Sequence, residues 1–310
     1  MPKLILSRKG FDSSAGHGYS PYDPETGRYI VLPIPEMSGR KGGYTYSQLP
    51  LKPGYMNGET KAGNLRELIH DPVLNYSKKT RDVVDKHPAH YDPVTGRPPW
   101  DPSGPDYGAF GQSDAAAGHL RNHNVREGSV FLFFSRFKPV SQHLHPLDPR
   151  LAWNDGAYFL YGWLKVGKVY TASNQDELPE EIRRTHPHGS QSDFENRQNN
   201  IIFTASDRLF EDSEIPGTGM FPKLTDELLL SSEAHRSRPT IWKLPSFFQE
   251  ERYCPTYLNA PKTLKDRWFH CTDDQNYCYV QSTARGQEYV SPLEGKSEVW
   301  LRELFQKVNL

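Results

Sequence analysis

Histidine titrates closer to neutrality than any other side chain, so closely spaced histidines are where acid–base or metal chemistry is sought first. This chain places them in pairs: His119 with His123, His143 with His145, and His186 with His188. In His186-Pro187-His188 the proline fixes the geometry between the two rings, which suits a general acid or base near neutral pH. The alternative is a loop whose histidines only hold it together by hydrogen bonds. His119 and His123 are four residues apart, so on a helix both rings share one face, as metal ligands do. The intervening Leu120-Arg121-Asn122 lacks the glutamate of a zinc-protease helix, and the pair reads as surface histidine. Cys254, His270, Cys271 and Cys278 contain no Cys-x-x-Cys and fit no zinc-knuckle spacing, so the cysteines read as buried thiols. Neither set predicts a metal, and no cofactor is expected.

The segment Ser7-Arg8-Lys9-Gly10-Phe11-Asp12-Ser13-Ser14 follows a short apolar run. It brings hydroxyls, two cations and a carboxylate to one sheet edge. Phosphate recognition uses such donors, with Arg as a fork and backbone N–H groups beside it. The spacing is not that of a P-loop, and a capped turn with surface charges is the other reading. Arg285-Gly286-Gln287-Glu288 combines a cation, an amide and a carboxylate. Gln and Glu read base edges through paired hydrogen bonds, although a polar turn before a strand explains the same letters. Of the aromatics Phe131, Phe133, Phe134, Tyr158, Phe159, Tyr161 and Trp163, most must be core. Tyr161 and Trp163, two apart on a strand, are expected on one face and are the pair to inspect as ligand walls.

Leu4–Leu6 reads as a buried strand, and Tyr29–Ile34 as a second that ends at Pro33 and Pro35. Residues 36–112 are irregular, with a glycine cluster at 39–43, a helix around 62–70 and a proline-rich run from 87 to 105. Tyr22-Asp-Pro-Glu-Thr-Gly-Arg28 recurs as Tyr91-Asp-Pro-Val-Thr-Gly-Arg97 and reads as one tight turn used twice. Ser113 or Asp114 caps a helix over 115–123 that Asn124 terminates. Val130–Phe134 is the strongest strand, too continuously apolar to be half exposed. Ala157–Tyr170 reads as a long strand bent at Gly162 and Gly167. Ile201–Phe203, Ile241-Trp242 and Tyr277–Gln281 are further strands, and 226–230 is a short apolar piece. An amphipathic helix over 296–308 closes the chain, with Val299, Trp300, Leu301, Leu304, Phe305 and Val308 on its apolar side.

The 26 prolines and 24 glycines among 310 residues argue for turns and long loops rather than a helical bundle. The fold class expected is α+β: a β-rich core with peripheral helices and long loops, one domain over 1–310, with 36–112 readable as an irregular insertion. With 37 basic and 38 acidic residues, the chain has no broad basic face for tracking duplex DNA. A nucleotide or a single extruded base is easier to accommodate. No apolar run approaches the roughly 20 residues of a membrane span, no signal-peptide core precedes the first strand, and three cysteines are too few for a disulfide framework. The expected address is the cytoplasm.

Three blocks carry a resemblance across nearly the whole chain. Leu4-Ile-Leu-Ser-Arg-Lys-Gly-Phe-Asp-Ser-Ser14, Ser20-Pro21 and Leu32-Pro33-Ile34-Pro35 form the first. Phe110-Gly111-Gln112, His119-Leu120, Val125 and Gly128–Phe134 form the second. Gly162-x-Leu-x-Val-Gly167, His186-Pro187-His188, Arg236-Ser237, Trp242-x-Leu-Pro245, Gly286–Val290 and Trp300-Leu301 form the third. Together they resemble the bacterial and phage proteins called nucleotide-modification-associated domain, third type. The sequence departs at Gly128-Ser129, where an acidic residue after Gly is more usual, and at Ser135, often Gly. Within this, the pattern around Gly162–Val169 is similar to strands of PUA-like barrels of the EVE and ASCH kind, which implies a partly open barrel.

The resemblance implies a partner that is a modified nucleotide or nucleic acid containing one. Two readings stand. In the first, the chain binds a modified base or nucleotide: Arg8 or Lys9 engages phosphate, Gln287 with Glu288 the base edge, and Tyr161 and Trp163 wall the ring, with Ser7, Asp12, His186, His188 and Arg285 as further ligand-binding candidates. In the second, an enzyme acts on a modified nucleotide by hydrolase-type chemistry, with Asp12, His188 and Glu288 as acid and base groups within reach of one another. A protein-interaction subunit is the third possibility.

Overall fold

The structure, a computed structural model, describes residues 1–39, 43–51, 60–96, 106–141, 144–259, 267–283 and 287–309. His143, Arg285, Gly286 and parts of the 39–43 and 87–105 segments lie outside the described residues.

The strands are β1 (Lys3–Arg8), β2 (Ser20–Tyr22), β3 (Ile34–Pro35), β4 (Ala89–His90), β5 (Val94–Gly96), β6 (Tyr107–Gln112), β7 (Val130–Pro139), β8 (Ala157–Tyr170), β9 (Ile201–Ala205), β10 (Thr218–Met220), β11 (Ile241–Pro245), β12 (Trp268–Cys271), β13 (Tyr277–Gln281) and β14 (Glu288–Pro292). The helices are α1 (Leu65–His70), α2 (Lys78–Lys86), α3 (Asp114–Asn122), α4 (Glu180–Thr185), α5 (Gln191–Asn196) and α6 (Lys296–Lys307). Among the described residues a nine-stranded mixed sheet runs β14-β1-β7-β8-β9-β6-β5, with β10 added on β8 and β2 on β7. A three-stranded sheet, β11-β13-β12, and the β3–β4 pair complete the strands. The architecture is α+β and β-rich, as expected, and the large sheet is not a closed barrel.

β7 explains the sheet. Val130–Phe134 is buried throughout because each face of the strand meets its own aromatic layer. Phe131 and Phe133 pack with Phe110 and Phe203 on one face. Phe134 packs with Tyr158, Trp242 and Tyr289 on the other. A strand covered on both sides has no room for polar alternation. The sheet curls so far that Gln112 of β6 reaches Glu288 of β14, donating to its Oε1 at 2.6 Å.

The two glycine bends in β8 are where β-sheet register shifts. The pairing to β7 slips between Phe133 and Phe134, opposite Gly162 and Leu160. The pairing to β9 slips between Val166 and Lys168, around Gly167. The first bulge overturns the expectation that Tyr161 and Trp163 share a face. Trp163 lies opposite Leu132 and packs on Phe221 and Phe305, whereas Tyr161 stacks with Phe133 and lies edge-on to Phe137. One extra residue in a bulge reverses the alternation that a two-residue period assumes.

Other elements differ in instructive ways. Only Ile34 of the Tyr29–Ile34 run enters a strand, although Tyr29, Ile30 and Leu32 are buried. Tyr29 donates from its hydroxyl to the carbonyls of Tyr161 and Phe221, so the segment is held by side chain rather than ladder. Helix α3 forms as read, and Asn124 ends it at φ 55°. In α6, Leu301, Leu304 and Phe305 are buried, but Val299 is 56% exposed. Cys271 and Cys278 are not free thiols: β12 and β13 set them opposite each other and they form a disulfide. A second apolar cluster brings Leu65, Leu68 and Ile69 of α1 together with Val84, Ala89, Tyr46 and Phe11. No helix among the described residues is long and apolar enough to cross a membrane.

Because Phe133 sits at the centre of the aromatic face, Phe133→Ala should destabilise by about 3–5 kcal/mol. That corresponds to a fall in Tm of roughly 5–8 °C for a chain of this length. Val299→Ser should change stability by less than about 0.5 kcal/mol. Urea unfolding of the two variants checks both.

Candidate functional site

The two copies of Tyr-Asp-Pro-x-Thr-Gly-Arg do not form the same turn. In the first, Asp23 caps its own loop: its Oδ1 accepts from Glu25 N at 2.8 Å, its Oδ2 accepts from the Thr26 hydroxyl at 2.8 Å, and Gly27 closes the turn at φ 73°. In the second, Val94–Gly96 continues as β5, the Asp92–Pro93 peptide is cis, and the Asp92 side chain turns inward, 4% exposed.

Asp92 organises a buried cluster drawn from three distant segments. β4 ends at His90, and Asp92 N donates back to the His90 carbonyl at 3.0 Å. α4 ends at His186, and Pro187 leads into His188. β6 supplies Gly111. Asp92 Oδ1 accepts from Gly111 N at 3.1 Å and from His186 Nε2 at 3.1 Å. Asp92 Oδ2 faces His90 Nε2 at 3.8 Å and His188 Nε2 at 3.9 Å. All three histidines are more than nine-tenths buried.

The hydrogen bonds assign the imidazole tautomers. His90 Nδ1 donates to Glu36 Oε2 at 2.6 Å, and Glu36 is held by the amide and hydroxyl of Ser38. Asn200 donates from Nδ2 to the His188 carbonyl and accepts from His188 Nδ1, both at 3.0 Å. His186 Nδ1 accepts from His188 N at 3.2 Å, which leaves the His186 proton on Nε2 for Asp92. Gly111 is where this packing is tightest: a Cβ there would fall 2.4–2.6 Å from the Cγ, Cδ2 and Cβ atoms of His188.

Electrostatics follow the same contacts. Burial raises the Asp92 carboxyl, but the hydrogen bond from His186, the nearby His90 ring and the charges of His186 and His188 prevail and hold it well below the ordinary value. For Glu36, burial is likewise outweighed by its bonds to His90 and Ser38, and its carboxyl is also lowered. His90 is opposed by burial but raised by Asp92 and Glu36. Tyr161 is raised well above its usual value, first by burial and then by the Asp92 charge. Its hydroxyl is buried with no hydrogen-bond partner among the described residues.

Asp12, His188 and Glu288 are not brought together. Asp12 Oδ1 accepts from Ser14 N, Ser14 Oγ and Ala15 N at 2.7 Å and so caps its own loop, with Arg8 at 3.6 Å. Glu288, 1% exposed, pairs with Lys9 Nζ at 2.9 Å and with Gln112. Lys9 also lies 4.4 Å from the Phe110 ring centroid. Arg8 points to the opposite face, over Phe134 and Tyr158. Ser7 is fully buried, and its hydroxyl has no hydrogen-bond partner among the described residues. Gln287 is exposed and contributes its carbonyl to Arg8 N, so it does not join Glu288 on one surface. Trp163 donates to the Pro216 carbonyl at 2.9 Å within the core. Of the residues singled out from sequence, His186 and His188 enter the cluster, and Tyr161 feels its charge. Glu36, His90, Asp92, Gly111 and Asn200 were missed. The His90-x-Asp92 flank of the second repeat was the available signal, because the first repeat has Pro21 at that position.

A family model described as nucleotide modification associated domain 3 matches residues 3–292. The chain belongs to the nucleotide modification associated domain 3 family. Membership places it in a nucleotide-modification context, in line with the resemblance carried by the three sequence blocks. No curated protein and no solved structure matches the chain. Within this family member, then, the His–Asp cluster must be interpreted from its own geometry.

Lys9 and Glu288 form a pair whose side chains are 10% and 1% exposed. Glu288→Ala leaves the cation without its partner and should cost about 3–5 kcal/mol, whereas the double variant Lys9→Met/Glu288→Leu should recover most of that loss. Chemical denaturation of the single and double variants measures it, and equal losses in both would show that the pair is not the source.

Proposed function

We propose that the chain binds a modified base or nucleotide and carries out chemistry on it at the cluster of His90, Asp92, His186 and His188. The supporting observation is Asp92. One of its oxygens is satisfied by Gly111 N–H and His186, while the other is presented to two further imidazoles in a buried setting. That second oxygen points at two ring nitrogens whose rings are each held from Nδ1, by Glu36 and by Asn200. Perturbed carboxylates with dedicated imidazole partners are features of reacting sites. Family membership supports the substrate class, and the His186–Asp92 bond supplies an oriented group for proton transfer. The reading does not rest on a PUA-like barrel, nor on an aromatic cage of Tyr161 and Trp163, which face opposite ways.

The test is incubation of the purified chain with canonical and modified nucleosides, nucleotides and short single strands, followed by mass spectrometry, with a thermal-shift screen in parallel. A ligand at about 100 times its Kd stabilises by roughly 2.7 kcal/mol, a shift of a few degrees. Turnover confined to modified species, and reduced at least about 100-fold by His186→Asn with binding retained, is the expected result. Binding with the ligand recovered unchanged would make the chain a reader. Absence of both shift and turnover across the set would remove the nucleotide reading.

A further inference from the structure

We propose that His90, Asp92 and His188 bind one divalent first-row transition-metal ion, with His90 Nε2, His188 Nε2 and Asp92 Oδ2 as ligands. This deepens the reading above and shares with it the premise that the cluster is the functional centre.

The argument begins with what each atom is already doing. His90 gives its Nδ1 proton to Glu36, and His188 gives its Nδ1 proton to Asn200. With the proton at Nδ1, the neutral form of each ring has its lone pair at Nε2, the atom turned toward Asp92 Oδ2, and a metal would displace any proton held there. Oδ1 of Asp92 takes the donors Gly111 N–H and His186 Nε2–H, so Oδ2 is the oxygen directed at the two rings. Two nitrogen lone pairs and one carboxylate oxygen thus converge, with the three donor atoms within 4.8 Å of one another. At 3.8 and 3.9 Å the nitrogens stand beyond hydrogen-bond distance of the oxygen. A metal ~2.1 Å from each donor would set them roughly 3.0–3.4 Å apart, so each nitrogen would move roughly 0.4–0.9 Å closer to the oxygen.

The surroundings match what metal-bound imidazoles require. A ligating His characteristically donates its second ring nitrogen to a carboxylate or carbonyl, which fixes the ring and raises its basicity. Glu36 does this for His90, and the Asn200 side-chain carbonyl does it for His188. His186 and Gly111 do the same for the carboxylate, orienting Oδ2 through Oδ1. Two imidazoles and one carboxylate suit iron(II), manganese(II), cobalt(II) or zinc, since calcium and magnesium prefer all-oxygen shells. Three protein ligands also leave coordination positions open for water or substrate, the arrangement of a catalytic rather than a structural site. The pairs weighed from sequence spacing have other employment: His119 bonds the Thr256 hydroxyl at 3.0 Å and stacks on Tyr257, and Cys271 is bonded to Cys278.

The experiment uses the full chain, stripped with chelator and titrated separately with cobalt(II), manganese(II), zinc and, under anaerobic conditions, iron(II). Bound metal is counted by elemental analysis, and cobalt is also followed by its visible absorption. One ion per chain is expected, with His90→Ala and His188→Ala each losing stoichiometric binding. Glu36→Gln, which keeps the fold contacts but weakens the His90 support, should lower affinity about 10–100-fold. Gly111→Ala, whose methyl displaces His188, should lower it too. Glu36→Gln provides the reading if a ligand variant fails to fold. No stoichiometric ion in the wild type, or binding indifferent to these substitutions, overturns the proposal. Turnover of a nucleotide by the stripped chain, unchanged on adding metal, overturns it while leaving the function above intact. Stoichiometric metal at these residues without any effect of nucleotides supports it and counts against that function.

Discussion

A carboxylate removed from water must be compensated by donors on the spot, and the burial of Asp92 is the constraint around which this fold is arranged. Its partners come from the β6 backbone, the end of α4 and the end of β4. Each has to arrive with an N–H or a ring at the right height. The β3–β4 pair places His90 beside Ile34, two residues before Glu36. The turn after α4 is short because Gly189 N closes on the His186 carbonyl at 2.8 Å, which brings His188 back over β6. None of these elements is long, and their positions are held by the apolar clusters beneath them. The cluster at Leu65, Leu68, Ile69 and Ala89 secures the β4 side. The one at Ile182, Phe194, Ala109 and Ile202 secures the α4 side.

β6 does two opposite things with adjacent residues. Gly111 yields its side-chain space to the His188 ring, whereas Gln112 projects to the other face and bonds Glu288. Strand alternation makes this possible: one residue serves the His–Asp cluster and the next serves the interior of the curled sheet. The cost of Gly in a strand is a loss of side-chain packing and a larger loss of backbone entropy. Here the absent Cβ is what permits the ring to approach the strand, so a close contact accounts for the residue without any appeal to flexibility.

The elements legible in the sequence were those whose apolar pattern is local. β7, β8 with both of its bends, β9, β13, α1, α3 and α6 appear where periodicity puts them. What failed was inference across a break in the pattern. A bulge at Tyr161 reversed its face relative to Trp163. Tyr29–Leu32 was apolar enough for a strand but is anchored by the Tyr29 hydroxyl. The repeated heptad differs at one letter, Glu25 against Val94, yet its context differs more: Asp23 caps its own loop, whereas Asp92 meets His90, His186 and His188. For the same reason the site was half legible. His186 and His188 stand two apart in sequence and declared themselves, but tertiary structure is what joins them to Glu36, Asn200 and the His90-Tyr91-Asp92 segment, and each of these alone is an ordinary polar residue.

The charges around the two candidate regions decide which can meet an anionic nucleotide. In the first loop, Lys9 is matched by Glu288 and Arg8 lies beside Asp12, so the cations expected to hold phosphate are already balanced within the fold. In the histidine cluster three imidazoles, of which His90 is raised by its two acidic neighbours, face the carboxylates of Asp92 and Glu36, both held in the charged form. Two carboxylates in a low-dielectric setting disfavour a phosphate beside them wherever the local cations do not offset both. A nucleotide can therefore approach this centre with its base or sugar foremost, or together with a cation that reverses the local field. A bound divalent ion meets the second condition, because its own charge is then the largest in the site and governs what the surrounding groups do.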